Sequence, residues 1–109
     1  MHNNQDMEIS RQEIVRMAQA LLKGQIGVIE ASRAISSHSH LVDPDMRDHE
    51  LLHFIGIDSE SECLTIGAEE WHSSAREEKI REVNEFEEFY LEGALHDAAL
   101  LVKRYADTA

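Results

Sequence analysis

Residues 74–105 read SAREEKIREVNEFEEFYLEGALHDAALLVKRY, and the fold is decided by how this stretch is read. Ile80, Val83, Phe86, Tyr90, Ala94, Ala98, Leu101 and Tyr105 recur at steps of three and four, a spacing that lines one face of an α-helix and scatters over both faces of a strand. Ser74 and Glu77 open the stretch as a capping box, each side chain reaching the other's otherwise orphaned backbone N–H. Gly93 is the one weak helix former inside it, so the spacing predicts a single helix of roughly thirty residues, about 45 Å long at 1.5 Å per residue. A stripe of that length must be covered by other elements. The expected fold is therefore all-α: one domain over residues 1–109, a compact helical bundle built around this long C-terminal helix, with residues 1–8 as a flexible N-terminus.

The upstream sequence supplies the covering elements. Ser10 and Glu13 form another capping box, with Ile9 and Ile14 placed as a hydrophobic staple. Ile14, Val15, Met17, Ala18, Leu21 and Leu22 then make an apolar face, and Gly24 stands where a left-handed residue would end the helix. A second helix is expected from Ile26 to His38, its start weakened by Gly27. Asp43-Pro44 reads as a restart, Asp as N-cap and Pro in the first turn. The short helix it opens would carry Met46, Leu51 and Leu52 and end near Gly56, leaving residues 57–68 as a loop. No alternating strand pattern occurs.

Charge narrows the function. The chain carries 22 acidic and 10 basic residues, and the excess is concentrated. Residues 1–42 are neutral, whereas residues 43–97 hold seventeen acids against Arg47, Arg76, Lys79 and Arg81. Such a field repels nucleic acid phosphates and anionic lipid, and it speeds encounter with a basic protein. The expected partner list is accordingly a basic protein, no nucleic acid and no membrane. No apolar run approaches the length of a membrane span. Met1 to Asp6 lack the basic start and apolar stretch of a secretory signal. Cys63 is the single cysteine, which fits a reducing compartment. The expected location is the cytoplasm.

Within the long helix, Glu78, Glu82, Glu85, Glu88 and Glu92 form a glutamate-rich face opposite the apolar stripe, and Phe89 falls among them. An aromatic residue inside an acidic field is the pattern of an interface hot spot, so these six residues are the candidate partner-binding face. A competing motif is His49-Glu50-Leu51-Leu52-His53. Two histidines four apart share a helix face and could hold Zn²⁺ while Glu50 acts as base on a bound water, which makes a zinc-dependent hydrolase the alternative reading. Three features weigh against it. Ser59 stands where one protease subclass has its third ligand, there is no strand to hold a substrate, and the helix starts at Pro44, leaving under two turns before His49; a downstream carboxylate such as Glu69 or Glu70 could still complete a site. His38 and His40 suit a helix C-terminus through the dipole, His72 and His96 are isolated, and no catalytic triad or phosphate-binding loop is present.

Leu22 to Glu30, Phe54-Ile55-Gly56-Ile57-Asp58-Ser59-Glu60, Leu64 to Gly67 and Trp71 together resemble a family of small, acidic, helical bacterial proteins, similar to the immunity proteins of toxin–immunity systems. The resemblance spans about residues 10 to 105, and Ile57-Asp58-Ser59-Glu60 is its most specific part. It implies a helical fold, a tight loop at Asp58-Ser59-Glu60 and no catalytic residues. The expected function is a non-enzymatic acidic binding protein that masks the active site of a cognate basic toxin such as a nuclease, with self-association through the long helix as a third reading.

Overall fold

The computed structural model describes residues 4–65 and 73–106, and these form four helices: α1 (Asn4–Leu22), α2 (Val28–Val42), α3 (His49–Thr65) and α4 (Ser73–Ala106). Each helix places three apolar residues in one core. They are Ile14, Ala18 and Leu21 from α1, Val28, Ala31 and Ile35 from α2, Leu51, Phe54 and Ile57 from α3, and Ala94, Ala98 and Leu101 from α4. Every triplet is spaced by three or four, so each helix turns one stripe inward, the pattern expected of an all-α bundle. Among the described residues there is no strand and no helix long and apolar enough to cross a membrane.

Cross-links fix the directions. Ser10 Oγ and His38 Nδ1 share a hydrogen bond at 3.0 Å and set α1 against α2. Arg11 donates to the backbone carbonyl of Tyr105 near the end of α4, while Glu87, earlier in α4, bonds the start of α2 just past the end of α1, so α1 and α4 are antiparallel. Along the α3–α4 seam, Asp48 meets Arg104, His53 meets Asp97 and Glu60 meets Tyr90, so these helices are antiparallel as well.

The α1 terminus is as expected. Gly24 takes φ +73°, its N–H reaches Leu21 O at 3.0 Å, and Gln25 N–H reaches Ala20 O at 2.9 Å. That double bond pattern is the Schellman motif, and the left-handed residue in it is glycine because no β-carbon is present to clash.

Other boundaries differ from the sequence reading. α1 begins at Asn4, so Ser10 lies inside the helix, 2% exposed and committed to His38, while Glu13 pairs with Arg16 instead of capping. α2 begins at Val28 and runs to Val42, past His38. α3 begins at His49, and the Asp43-Pro44 restart is a turn: the Asp43 carboxylate accepts the N–H groups of Arg47 and Asp48, with Met46 at φ 55°. Asp48 is the true cap, its Oδ1 taking Glu50 N–H at 3.0 Å and Leu51 N–H at 3.1 Å. α3 also continues through Gly56 to Thr65, so Asp58-Ser59-Glu60, read as a loop, is helical. Packing of Leu51, Phe54 and Ile57 outweighs the poor helix propensity of this segment, where glycine costs about 1 kcal/mol relative to alanine. In α4, Ile80 is 51% exposed and Val83 half-buried, so the core stripe narrows toward the N-terminal end. The side chains of Ser74 and Cys63, and residues 66–72 with Glu69, Glu70 and Trp71, lie outside what is described.

The sequence gives no hint of how α2 starts. Gly27 is its N-cap and brings no side chain. The carboxylate of Glu87, on α4, takes that place: Oε1 accepts Val28 N–H at 2.7 Å and Oε2 accepts Ile29 N–H at 2.9 Å. A β-carbon at residue 27 would lie 2.7 Å from Glu87 Oε1, so glycine is needed to let the acid approach. The anion also sits at the positive end of the α2 dipole.

Candidate functional site

The six residues of the expected partner face do share one side of α4. At 100° per residue, Glu78, Glu82, Glu85, Phe89 and Glu92 fall within one narrow arc, with Glu88 beside it. Glu78, Glu85, Glu88 and Glu92 are exposed, and Glu82 is half-buried and paired with Lys79 at 3.1 Å. Phe89 is 78% exposed. Among the described residues, Glu78, Glu85, Glu88 and Glu92 have no ion-pair partner. Unpaired like charges this close repel one another, by a few tenths of a kcal/mol per i,i+4 pair, and a large exposed ring gains nothing from burial. Apart from the Glu82–Lys79 pair and the edge of Phe89 against Tyr90, this face therefore contributes little to the stability of the fold.

The His-Glu-x-x-His segment lies at the start of α3. Its three polar residues engage different neighbours. Glu50 accepts from Arg104, His53 Nδ1 bonds to Asp97, and the exposed His49 lines, together with Glu50, a pocket of about 360 Å³ that also holds Asp43, Arg47, Asp48, Arg104 and Tyr105. Among the described residues, no three His, Cys, Asp or Glu side chains are grouped so as to share an ion.

The pocket beside His49 is organised around Asp48, whose side chain is 7% exposed. Its Oδ2 accepts from Arg104 Nη1 and from the Tyr105 hydroxyl, both at 2.6 Å, while Oδ1 caps α3. Burial pushes the Asp48 carboxyl up, but the bonds from Tyr105, Arg104 and Leu51 N–H outweigh it and hold the group below its ordinary value. The Tyr105 phenol is raised, first by burial and then by its bond to Asp48. Both α3 capping N–H groups are already satisfied here. The cluster ties α4 to the start of α3.

A second pocket, of about 200 Å³, opens on the α3–α4 seam and is lined by Leu52, His53, Gly56, Ile57, Glu60 and Tyr90. Tyr90 donates its hydroxyl to Glu60, and that bond, helped by burial, pushes the phenol above its usual value. Phe86 packs on Tyr90 with ring centroids 4.8 Å apart, and Phe89 meets it edge-to-face at 4.9 Å. The aromatic side of this pocket thus runs directly into the exposed Phe89. Sequence reasoning assigns Tyr90 to the core and Glu60 to a loop, and so misses the pocket. Its marker in the sequence is Gly56, which reads there as a helix end and lies in the structure inside α3. Position by position comparison with known proteins adds nothing further: no family model, curated protein or solved structure matches the chain.

Proposed function

We propose that this chain is a non-enzymatic acidic binding protein whose outer α4 face covers a basic surface on a protein partner, in the manner of an immunity protein masking a toxin's active site. The observation that carries the reading is Phe89, 78% exposed and ringed by glutamates of which four have no ionic partner among the described residues. From Glu78 to Glu92 the face extends about 21 Å along the helix axis. The carboxylates steer a cationic surface toward it and reject anionic ones, which acts chiefly on the association rate. Phe89 supplies what charge does not, a large apolar surface that is desolvated on contact and slows dissociation.

The test uses the partner retained by the tagged chain at low salt and released at high salt. Its binding is followed by stopped-flow with the parent protein and with the Glu85→Gln, Glu88→Gln, Glu92→Gln triple variant. The expected result is association about ten-fold slower at low salt, with the difference vanishing at high salt. Phe89→Ala is expected to act on dissociation instead, raising Kd about thirty-fold. Association rates identical for parent and triple variant would refute the assignment of this face.

A further inference from the structure

The acidic face leaves the α3–α4 pocket unused, and the pocket has features of its own. At about 200 Å³ it is too small for a cofactor or drug-sized ligand, whose pockets run to roughly 300–1,000 Å³, and suits one side chain. Its two ring walls are held in place. Tyr90 is fixed by Glu60 on one side and by Phe86 and Phe89 on the other, and His53 is fixed by Asp97. Glu60 gives one carboxylate oxygen to Tyr90, and its other oxygen has no partner among the described residues. Leu52 and Ile57 supply an apolar wall. Gly56 is the telling position. It lies in the interior of α3, where glycine weakens a helix, yet a β-carbon there would meet nothing within 4 Å. Backbone conformation and packing leave that position open to any residue, and what its missing side chain provides is the room in the pocket.

Fixed aromatic faces, one free carboxylate oxygen and an apolar wall are together the chemistry that recognises a long cationic side chain. The ring quadrupole attracts the cation, the carboxylate bonds it, and the apolar wall covers its methylenes. We propose that this pocket receives an arginine or lysine side chain of the basic partner, its stem against Leu52 and Ile57 and its charge between the Tyr90 ring and Glu60. This rests on the binding-protein reading above and extends it: Phe89 and the glutamates would meet the partner's surface while the pocket takes one inserted residue.

The experiment is a titration of the ¹⁵N-labelled full chain, followed by NMR, with the peptide acetyl-Gly-Arg-Gly-amide and its citrulline counterpart, which has nearly the same shape and no charge. The expected result is saturable shifts centred on Leu52, His53, Gly56, Ile57 and Tyr90, with affinity at least about five-fold weaker for citrulline. The same loss is expected for Glu60→Gln and for Gly56→Leu, whose β-carbon enters open space; an otherwise preserved spectrum shows that each variant folds. Equal responses to the two peptides, shifts confined to residues 78–92, or a Gly56→Leu variant that binds like the parent would each overturn the pocket assignment. None of these outcomes refutes the acidic face, whose own test is the partner's association rate with the Glu85, Glu88 and Glu92 triple variant.

Discussion

Glu87 caps a helix to which it does not belong, and removing it tests how far α4 organises its neighbours. In Glu87→Gln the amide oxygen can still accept one N–H from the start of α2, but the amide nitrogen faces the other donor and cannot accept it. One hydrogen bond and the charge at the dipole are lost. N-cap replacements cost about 1 kcal/mol, and the charge at a helix terminus adds about 0.3–1 kcal/mol. Glu87 is half-buried, so water can reach the freed donor and the upper end of that range is discounted. The expected destabilisation is about 1–1.5 kcal/mol, which for a chain near this size lowers Tm by about 4–10 °C. Urea unfolding followed by far-ultraviolet circular dichroism measures it directly. The stricter test is a double-mutant cycle with Gly27→Ala. The alanine β-carbon would stand 2.7 Å from Glu87 Oε1 and displace the carboxylate, so both single changes act on the same pair of bonds. The two costs should therefore not add: the double variant should be more stable than additivity predicts by about 1 kcal/mol. Strict additivity, or a Glu87→Gln cost below about 0.3 kcal/mol, would mean that the carboxylate is held by solvent and that α2 starts without it.

Two further outcomes follow from the same geometry. Asp48 has its pKa lowered in the folded state, so its contribution is fully present above the ordinary Asp range near pH 4 and is lost as pH falls through its lower folded value. Asp48→Asn should cost about 2 kcal/mol at pH 7 and flatten the acid limb of a stability-against-pH curve, and an unchanged acid limb would exclude this group as its cause. Gly56→Ala, which adds a methyl into open space in a helix interior, should raise stability by about 0.5–1 kcal/mol, read as an increase in the urea midpoint; a decrease would mean that residue 56 has a backbone role.

The sequence makes the all-α class, the Schellman end at Gly24 and the inward positions of Ala94, Ala98 and Leu101 legible, because periodicity and glycine chemistry are local. It misleads where a local signal is overruled by distant contacts. Ser10-x-x-Glu13 has the form of a cap, yet Ser10 is drawn into the interior by His38, twenty-eight residues away. Asp43-Pro44 has the form of a helix start, but Asp48 is the better-placed acid because Arg104 and Tyr105 hold it from α4. Gly56 and Asp58-Ser59 argue for a loop, and burial of Phe54 and Ile57 keeps the helix going. Phe89 and its glutamates stand on the exposed side that their spacing implies. Glu87 hides in the same run of acids, although its position seven residues before Ala94 puts it on the inward side. Tyr90 and Glu60 could not be paired from sequence, since the bond needs α3 and α4 already antiparallel.

The contact between Arg11 and the Tyr105 carbonyl joins residues 94 positions apart, and Arg104 and Tyr105 also hold the start of α3. During synthesis this closure has to wait. A nascent chain that has reached residue 75 already contains all of α1, α2 and α3, yet the side of each that α4 covers remains open until the stretch from Ala94 to Tyr105 has left the ribosome. At roughly 5–20 residues per second that interval lasts a few seconds, during which the faces of α1, α2 and α3 that α4 will cover have no partner. The order of translation therefore delivers the end of α4 after the three helices that it locks together.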